Sequence, residues 1–315
     1  MVARMQLMSE HFMESEVWAA ALSSYHEELA IADTRGNLLV VDVRNSEVRE
    51  HYVIPDCWIT SLKFARDSTQ LIIGTLGCGG WWLDRPSGHL KRLHLTSLQN
   101  VTSLAVSPSG QWLALVGEDS SLCVGECSPK ASFHEVLVHK VPNPNSVAFS
   151  PDSRLLAIGG GEGTDDHAYV GLINLKSLSI YKILKLSKDA VCIDVLSFSP
   201  NGELLLAGGY KECAIIRLTD TPVVETTLPA SSWCSALSFD SYGCSAVIGD
   251  DSGGVTFYSL AVGARLQYQL HGKILCIDSL VNGLVDVVVA QLLSEQQKWV
   301  VRVMRFELKP DWAGR

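Results

Sequence analysis

Nine cysteines, nine histidines and 34 carboxylates offer this 315-residue chain the raw material for catalysis or metal binding, and their spacing decides how much is usable. The cysteines stand at 57, 78, 123, 127, 192, 213, 234, 244 and 276. Cys123 and Cys127 are the one close pair, and a tetrahedral zinc site needs a second. An odd number spread along the chain argues for reduced cysteines, several buried as small hydrophobes, rather than a disulfide framework. The run Gly160–Ala168 (Gly-Gly-Glu-Gly-Thr-Asp-Asp-His-Ala) is glycine-rich, but no Lys-Ser/Thr follows it, a strand rather than a helix comes next, and its acids repel phosphate. Glu162, Asp165, Asp166 and His167 are cation-ligand types. Calcium wants six to eight oxygens from a defined loop spacing, which is missing, so a solvated acidic loop is favoured. No Gly-x-Ser-x-Gly elbow, His-Glu-x-x-His helix or cysteine-nucleophile motif occurs. We therefore assign no catalytic residue, no cofactor and no metal, and expect a non-enzyme.

The elements that position these side chains come from an internal repeat. Ser107-Pro108-Ser109-Gly110, Ser150-Pro151-Asp152-Ser153 and Ser199-Pro200-Asn201-Gly202 are one turn repeated, with Pro presetting φ at the second position. Each turn joins a short apolar strand to another, forming a hairpin. At the same pitch a large apolar residue recurs as Leu22, Phe64, Val106, Phe149, Phe198, Phe239 and Leu280. Ten or eleven residues later comes a small one: Ala32, Gly74, Gly117, Gly159, Gly208, Gly249 and Ala290. A small residue at a strand end signals close approach of backbone or of a neighbouring sheet. A third strand follows each time.

Seven copies at this pitch predict an all-β chain, residues 1–315 as one domain: a seven-bladed β-propeller of four-stranded blades. The blades fall near 17–56, 57–97, 98–141, 142–188, 189–230, 231–271 and 272–309. The last copy ends without a fourth strand, while the apolar stretch 2–8 precedes the first. The expectation is that 2–8 completes the last blade and closes the ring, leaving only short protected edges.

The pattern resembles the WD40-repeat family in degenerate form. Where that family places Trp-Asp, this chain has Val41-Asp42, Leu83-Asp84, Gly125-Glu126, Ile173-Asn174, Ile216-Arg217, Tyr258-Ser259 and Phe306-Glu307. The resemblance implies a scaffold or adaptor that holds protein partners on its loop face, as a monomeric ring inside a larger complex.

On such a ring Trp58 and Trp233, each six residues before the large apolar position, lie at the mouth of the central channel, with Trp18 nearby. Three settings suit them: packing between loops, anchoring a protein partner, or caging a methylated lysine as a modified-peptide reader. The aligned mouth positions elsewhere are Glu16, Asn100, Asn143, Cys192 and Ile274. Two Asn and one Glu are thin support for the metal of a propeller lactonase or hydrolase, which stands as the enzymatic alternative. The candidate protein-binding residues are thus Trp58, Trp233, Trp18, Asn100, Asn143, Glu162, Asp165, Asp166 and His167. Trp81 and Trp82, adjacent in a strand, should face opposite sides and pack between blades.

Charge narrows the partner. The net charge of −9 argues against direct nucleic-acid binding, which needs clustered Lys and Arg. The presumed loop face carries twelve acids, among them Asp33, Asp250 and Asp251, against six cations, among them Arg35 and Lys273. Asp119 and Asp250 are expected to cap their own turns. What remains suits a basic or mixed-charge protein partner. No apolar run approaches the roughly 18 residues of a membrane span, and no signal-peptide pattern opens the chain, which together suggest an intracellular, cytoplasmic protein.

Overall fold

The computed structural model describes residues 2–23, 27–65, 67–95, 97–117, 121–138, 140–162, 167–186, 191–280, 283–294 and 296–308. Strand β1 (Val2–Met13) opens the chain. The first sheet follows with β2 (Val17–Ser23), β3 (Glu28–Asp33), β4 (Asn37–Asp42) and β5 (Val48–Val53). The second has β6 (Trp58–Phe64), β7 (Gln70–Leu76), β8 (Gly79–Asp84) and β9 (His89–Arg92). The third has β10 (Ser103–Val106), β11 (Trp112–Val116), β12 (Ser121–Glu126) and β13 (Phe133–Leu137). The fourth has β14 (Pro144–Phe149), β15 (Leu155–Glu162), β16 (His167–Asn174) and β17 (Ser179–Lys185). The fifth runs through six strands: β18 (Ile193–Phe198), β19 (Leu204–Arg217), β20 (Val223–Phe239), β21 (Ser245–Asp250), β22 (Gly254–Ser259) and β23 (Arg265–Gln269). The last joins β24 (Lys273–Ser279), β25 (Leu284–Leu293) and β26 (Lys298–Leu308) to β1.

The chain is an all-β propeller with six blades, counted as continuous hydrogen-bonded sheets, and not the seven separate four-stranded blades that the spacing predicts. The fifth and sixth sequence copies share one sheet. The reason lies in β20, which continues without a turn from the outer edge of one copy to the inner edge of the next. Its start pairs with β19 (Val223 opposite Arg217) and its end with β21 (Phe239 opposite Ala246). The two halves of this sheet pack on each other around Leu206, Ile215, Phe239 and Ile248.

Strand β1 runs antiparallel to β26 from Val2 opposite Leu308 to Met13 opposite Trp299, so the paired N-terminal strand is longer than the stretch 2–8. Inner strands of successive copies touch around the axis, β24 against β2 included.

The core lies between neighbouring sheets, and the recurring small residue is what lets them approach. A Cβ on Gly74 would stand 2.7 Å from Val101 Cγ1, on Gly159 2.4 Å from Ile193 Cγ2, on Gly208 2.7 Å from Cys234 Cβ, and on Gly249 2.6 Å from Ile274 Cγ2. Each partner is an apolar knob on the next inner strand or, for Val101, just before it. Ala32 shares a cluster with Ile59 in the same way, whereas in the last copy Val288 holds this register position and Ala290 lies two residues beyond it. Trp81 and Trp82 face opposite cores: Trp81 packs with the first sheet, and the buried Trp82 with Leu104 and Leu115 of the third.

On the face away from the channel mouth, a buried ion cluster clamps the first sheet to the second. Arg85 binds Glu28 at 2.8 Å and Glu50 at 2.7 Å, and its guanidinium lies over the Phe64 ring. Arg49 joins Glu28 at 2.7 Å and also pairs with Asp42.

Cys57 and Cys78 correct the reading of all nine cysteines as reduced: they form a disulfide, with Cα atoms 6.1 Å apart. Trp58 pairs with Leu76 at the end of the β6–β7 ladder, so the residues just beyond both strand ends meet there. The other seven cysteines are not disulfide-bonded.

Candidate protein-binding site at the channel mouth

Every inner strand but β10 enters from the mouth and soon bulges. The ladder skips one residue between Val17 and Ala19, Ile59 and Ser61, Pro144 and Ser146, Ile193 and Val195, Cys234 and Ala236, and Ile274 and Cys276. A bulge frees a residue from pairing and re-aims it. The bulged residues Trp18, Thr60, Asn145, Asp194, Ser235 and Leu275 all line one axial cavity of about 700 Å³. Several hydroxyls at or beside these bulges are spent on holding the ring. Thr60 donates to the Val101 carbonyl (2.5 Å), Ser146 to Ile193 (3.0 Å) and Ser235 to Ile274 (2.6 Å), each reaching the next inner strand.

The tryptophans meet here. Trp18 and Trp58 stand edge to face with ring centres 5.3 Å apart, and Trp233 leans on Tyr210 at 4.9 Å. All three tryptophans are more than a third exposed, at 39, 38 and 36 %. Trp18 and Trp233 line the axial cavity, while Trp58 walls a neighbouring groove with Arg35, Asp56, Cys57 and Gly77. The Lys273 ammonium sits 4.2 Å from the centre of the Trp18 ring, so one candidate cage wall already carries the protein's own cation.

The other candidates do not converge. Asn100 lies off the cavity, its side-chain oxygen accepting from the Gly77 N–H at 2.9 Å. Asn143 adopts a left-handed φ of 42° in the link before β14, where Gly160 fits against its carbonyl. Glu162 and His167 pair across β15 and β16, so the described residues of the presumed Gly160–Ala168 loop, 160–162 and 167–168, are strand. Glycine explains this: a Cβ on Gly160 or Gly161 would run into the carbonyls of Pro142 or Val191. Asp165 and Asp166 lie outside the described residues, as does Asp119. Asp250 caps its turn, accepting from Ser252 N at 3.0 Å and Gly254 N at 2.8 Å, and Asp33 does likewise for Arg35 and Asn37. These two acids are therefore spent on turns.

The seventh copy is offset by one residue from its expected alignment. Ser279, not Leu280, occupies the position of Phe239, since Ser279 pairs with Val285 as Phe239 pairs with Ala246. The mouth position there is accordingly Lys273 rather than Ile274.

Sequence reasoning missed Asn145, Asp194 and Tyr210. The Asn145 amide donates to Asp194 at 3.3 Å and to Cys192 Sγ at 3.0 Å. Burial pushes the Asp194 carboxyl up, against the hydrogen bonds from Cys192 and Asn145 and the charge of Lys273. Burial pulls the Lys273 ammonium down, against Asp251, Glu16 and Asp194. Among the described residues no group of three His, Cys, Asp or Glu is placed to hold a metal ion.

Comparison with known proteins agrees with this architecture. The family model "WD domain, G-beta repeat" matches residues 88–124 and 132–169. Each match begins near or in the outer strand of one sheet and ends in the third strand of the next, so the unit interlocks two sheets. Comparison with curated proteins finds no match. A solved structure, described as the Cps50 (Swd1) β-propeller domain of Myceliophteria thermophila, superposes with a TM-score of 0.73 at 11 % identity. The superposition covers 96 % of this chain and 98 % of that one, a likeness of fold.

Proposed function

We propose, from the premise that this chain carries WD40 repeats on a β-propeller, that it is a non-catalytic scaffold holding a protein partner at its channel mouth. The observation that carries the reading is the exposed aromatic cluster: Trp18 against Trp58 across two sheets, and Trp233 with Tyr210 on a third. Large rings with an apolar body and a polar edge are the residues on which interfaces concentrate their energy. The tryptophans stand on inner strands of a ring held by sheet-to-sheet hydrogen bonds, so docking costs little ordering. Arg35 beside Trp58, and Asp194, Asp251 and Lys273 in the cavity, suit a partner of mixed charge. In this reading it works as one ring within a multiprotein assembly.

The test is affinity purification of the full chain beside a Trp58→Ala/Trp233→Ala variant shown to melt like the parent. Loss of a co-purifying protein only in the variant supports the reading. Removing two central aromatics should cost at least about 2 kcal/mol, or roughly thirtyfold in affinity. A partner that stays bound with parental affinity moves the docking surface elsewhere.

A further inference from the structure

The axial cavity holds two groups of opposite charge that do not pair with each other. Lys273 lines the cavity with its ammonium 4.2 Å from the centre of the Trp18 ring, and among the described residues it makes no hydrogen bond or ion pair. Asp251 lines the same cavity, and its Oδ1 is buried with no hydrogen-bond partner. The two feel each other's charge yet remain beyond the 4.0 Å of an ion pair. The acceptor left buried and unmade at Asp251 is costly, and a ligand that engages that carboxylate together with the Lys273 ammonium recovers part of that cost.

The signs decide the ligand class. A simple anion would satisfy Lys273 but meet Asp251 and Asp194. A simple cation would satisfy Asp251 but meet Lys273. A small molecule carrying both charges close together answers both groups, and the walls beside them are Trp18 and Trp233. We propose that the channel mouth is a binding site for a free α-amino acid with an apolar side chain. Its carboxylate accepts from Lys273, its ammonium donates to Asp251, and its side chain lies against the tryptophans. Asp194 also lines the cavity, where it accepts from the Asn145 amide. The cavity of about 700 Å³ has room for such a molecule. This inference stands on the slot alone and does not need the protein-docking reading.

Isothermal titration of the full chain with L-phenylalanine, L-leucine and glycine tests it, with sodium acetate and methylammonium chloride as single-charge controls. Expected are saturable binding of the two apolar amino acids, weaker binding of glycine, and none of either control. Lys273→Met and Asp251→Asn, each checked to melt like the parent, should weaken binding at least tenfold, and Lys273→Arg should retain most of it. If a truncating variant does not fold, the control ions and the Lys273→Arg variant still decide. Absence of saturable binding by any amino acid at millimolar concentration overturns the proposal. So does acetate binding as tightly as the amino acids, or unchanged affinity in the folded variants.

Discussion

Breaking the Cys57–Cys78 bond should lower the stability of the whole chain by about 3 kcal/mol, a figure that follows from loop length. The bond closes a 21-residue loop that spans β6 and β7. In the folded chain the same ends are already held together, because Trp58 pairs with Leu76 in the ladder and Cys57 is 3 % exposed. The native state therefore loses little when the sulfurs separate. The unfolded chain gains the freedom of an open loop, which shifts the equilibrium against folding. For a chain of this length, with an unfolding entropy of about 2 cal/mol/K per residue, the melting temperature should fall by about 5 °C. The assay is a thermal melt followed by circular dichroism with and without a phosphine reductant. Alkylation and mass spectrometry should count nine modified cysteines in the reduced unfolded chain and seven in the oxidised one. A Cys57→Ala/Cys78→Ala variant should melt like the reduced parent and ignore reductant. A reduced parent with all nine thiols free that melts with the oxidised one would refute the reasoning, because the loop would then carry no entropy penalty.

Three further outcomes are expected. Arg85→Ala takes from Glu28 and Glu50 the buried cation they share, leaving Glu28 only its pair with Arg49, and should cost about 3 kcal/mol in urea unfolding; Arg154→Ala, at an exposed 3.9 Å pair with Asp152, should cost less than about 1 kcal/mol. Deleting residues 1–10 strips most of β1 from β26 and should destabilise the entire fold; a truncated chain that melts like the parent would show that β1 does not close the ring. Burial holds His11 below its ordinary 6.5 against the pull of Glu10, so the fold favours the neutral ring, and its stabilising effect is present above that value and lost as pH falls through it. Urea midpoints should decline below pH 6.5, and His11→Phe should flatten that limb.

The acid limb continues lower for a different reason. Burial works to raise Glu28, yet hydrogen bonds and charge from Arg85 and Arg49 outweigh it and hold the carboxyl down. Asp42 is held far below the carboxylate range, first by its hydrogen bond from Arg44, against burial. A carboxyl depressed by folding stabilises above its unfolded value and ceases to do so as acid protonates it, so this part of the loss begins near pH 4.

The repeat made the propeller legible, because close sheet-to-sheet contact favours a small residue opposite the knob, and glycine or alanine stands there in five copies, with Val116 and Val288 in the other two. Sheet number was not legible in the same way. Spacing locates copies, but whether a chain turns or runs straight between them depends on local backbone, and residues 218–233 give no strong glycine turn; Pro229 sits within the strand opposite Glu212. The disulfide was hidden for a related reason. An odd total and a 21-residue gap say nothing about Cα distance, which the β6–β7 ladder sets.

The site was half legible, and the legible half followed the alignment key. Aligning on the large apolar residue brought out Trp58 and Trp233 at the mouth, but it failed where that residue is polar: Ser279 holds the position in the last copy, so Lys273 was passed over for Ile274. The residues aimed down the axis lie in a different column, four before the large apolar residue in most copies, where Trp18, Thr60, Asn145, Asp194 and Ser235 stand. That column has no common chemistry to draw the eye, because the bulge selects its geometry and leaves its side chain unconstrained. The hydroxyls there tie one sheet to the next, and where the column departs from a hydroxyl at Asn145 the tie passes to the neighbouring Ser146 and the column gains a polar wall. Asn145 and Asp194 are such departures on adjacent strands, facing the cavity that Lys273 and Asp251 share.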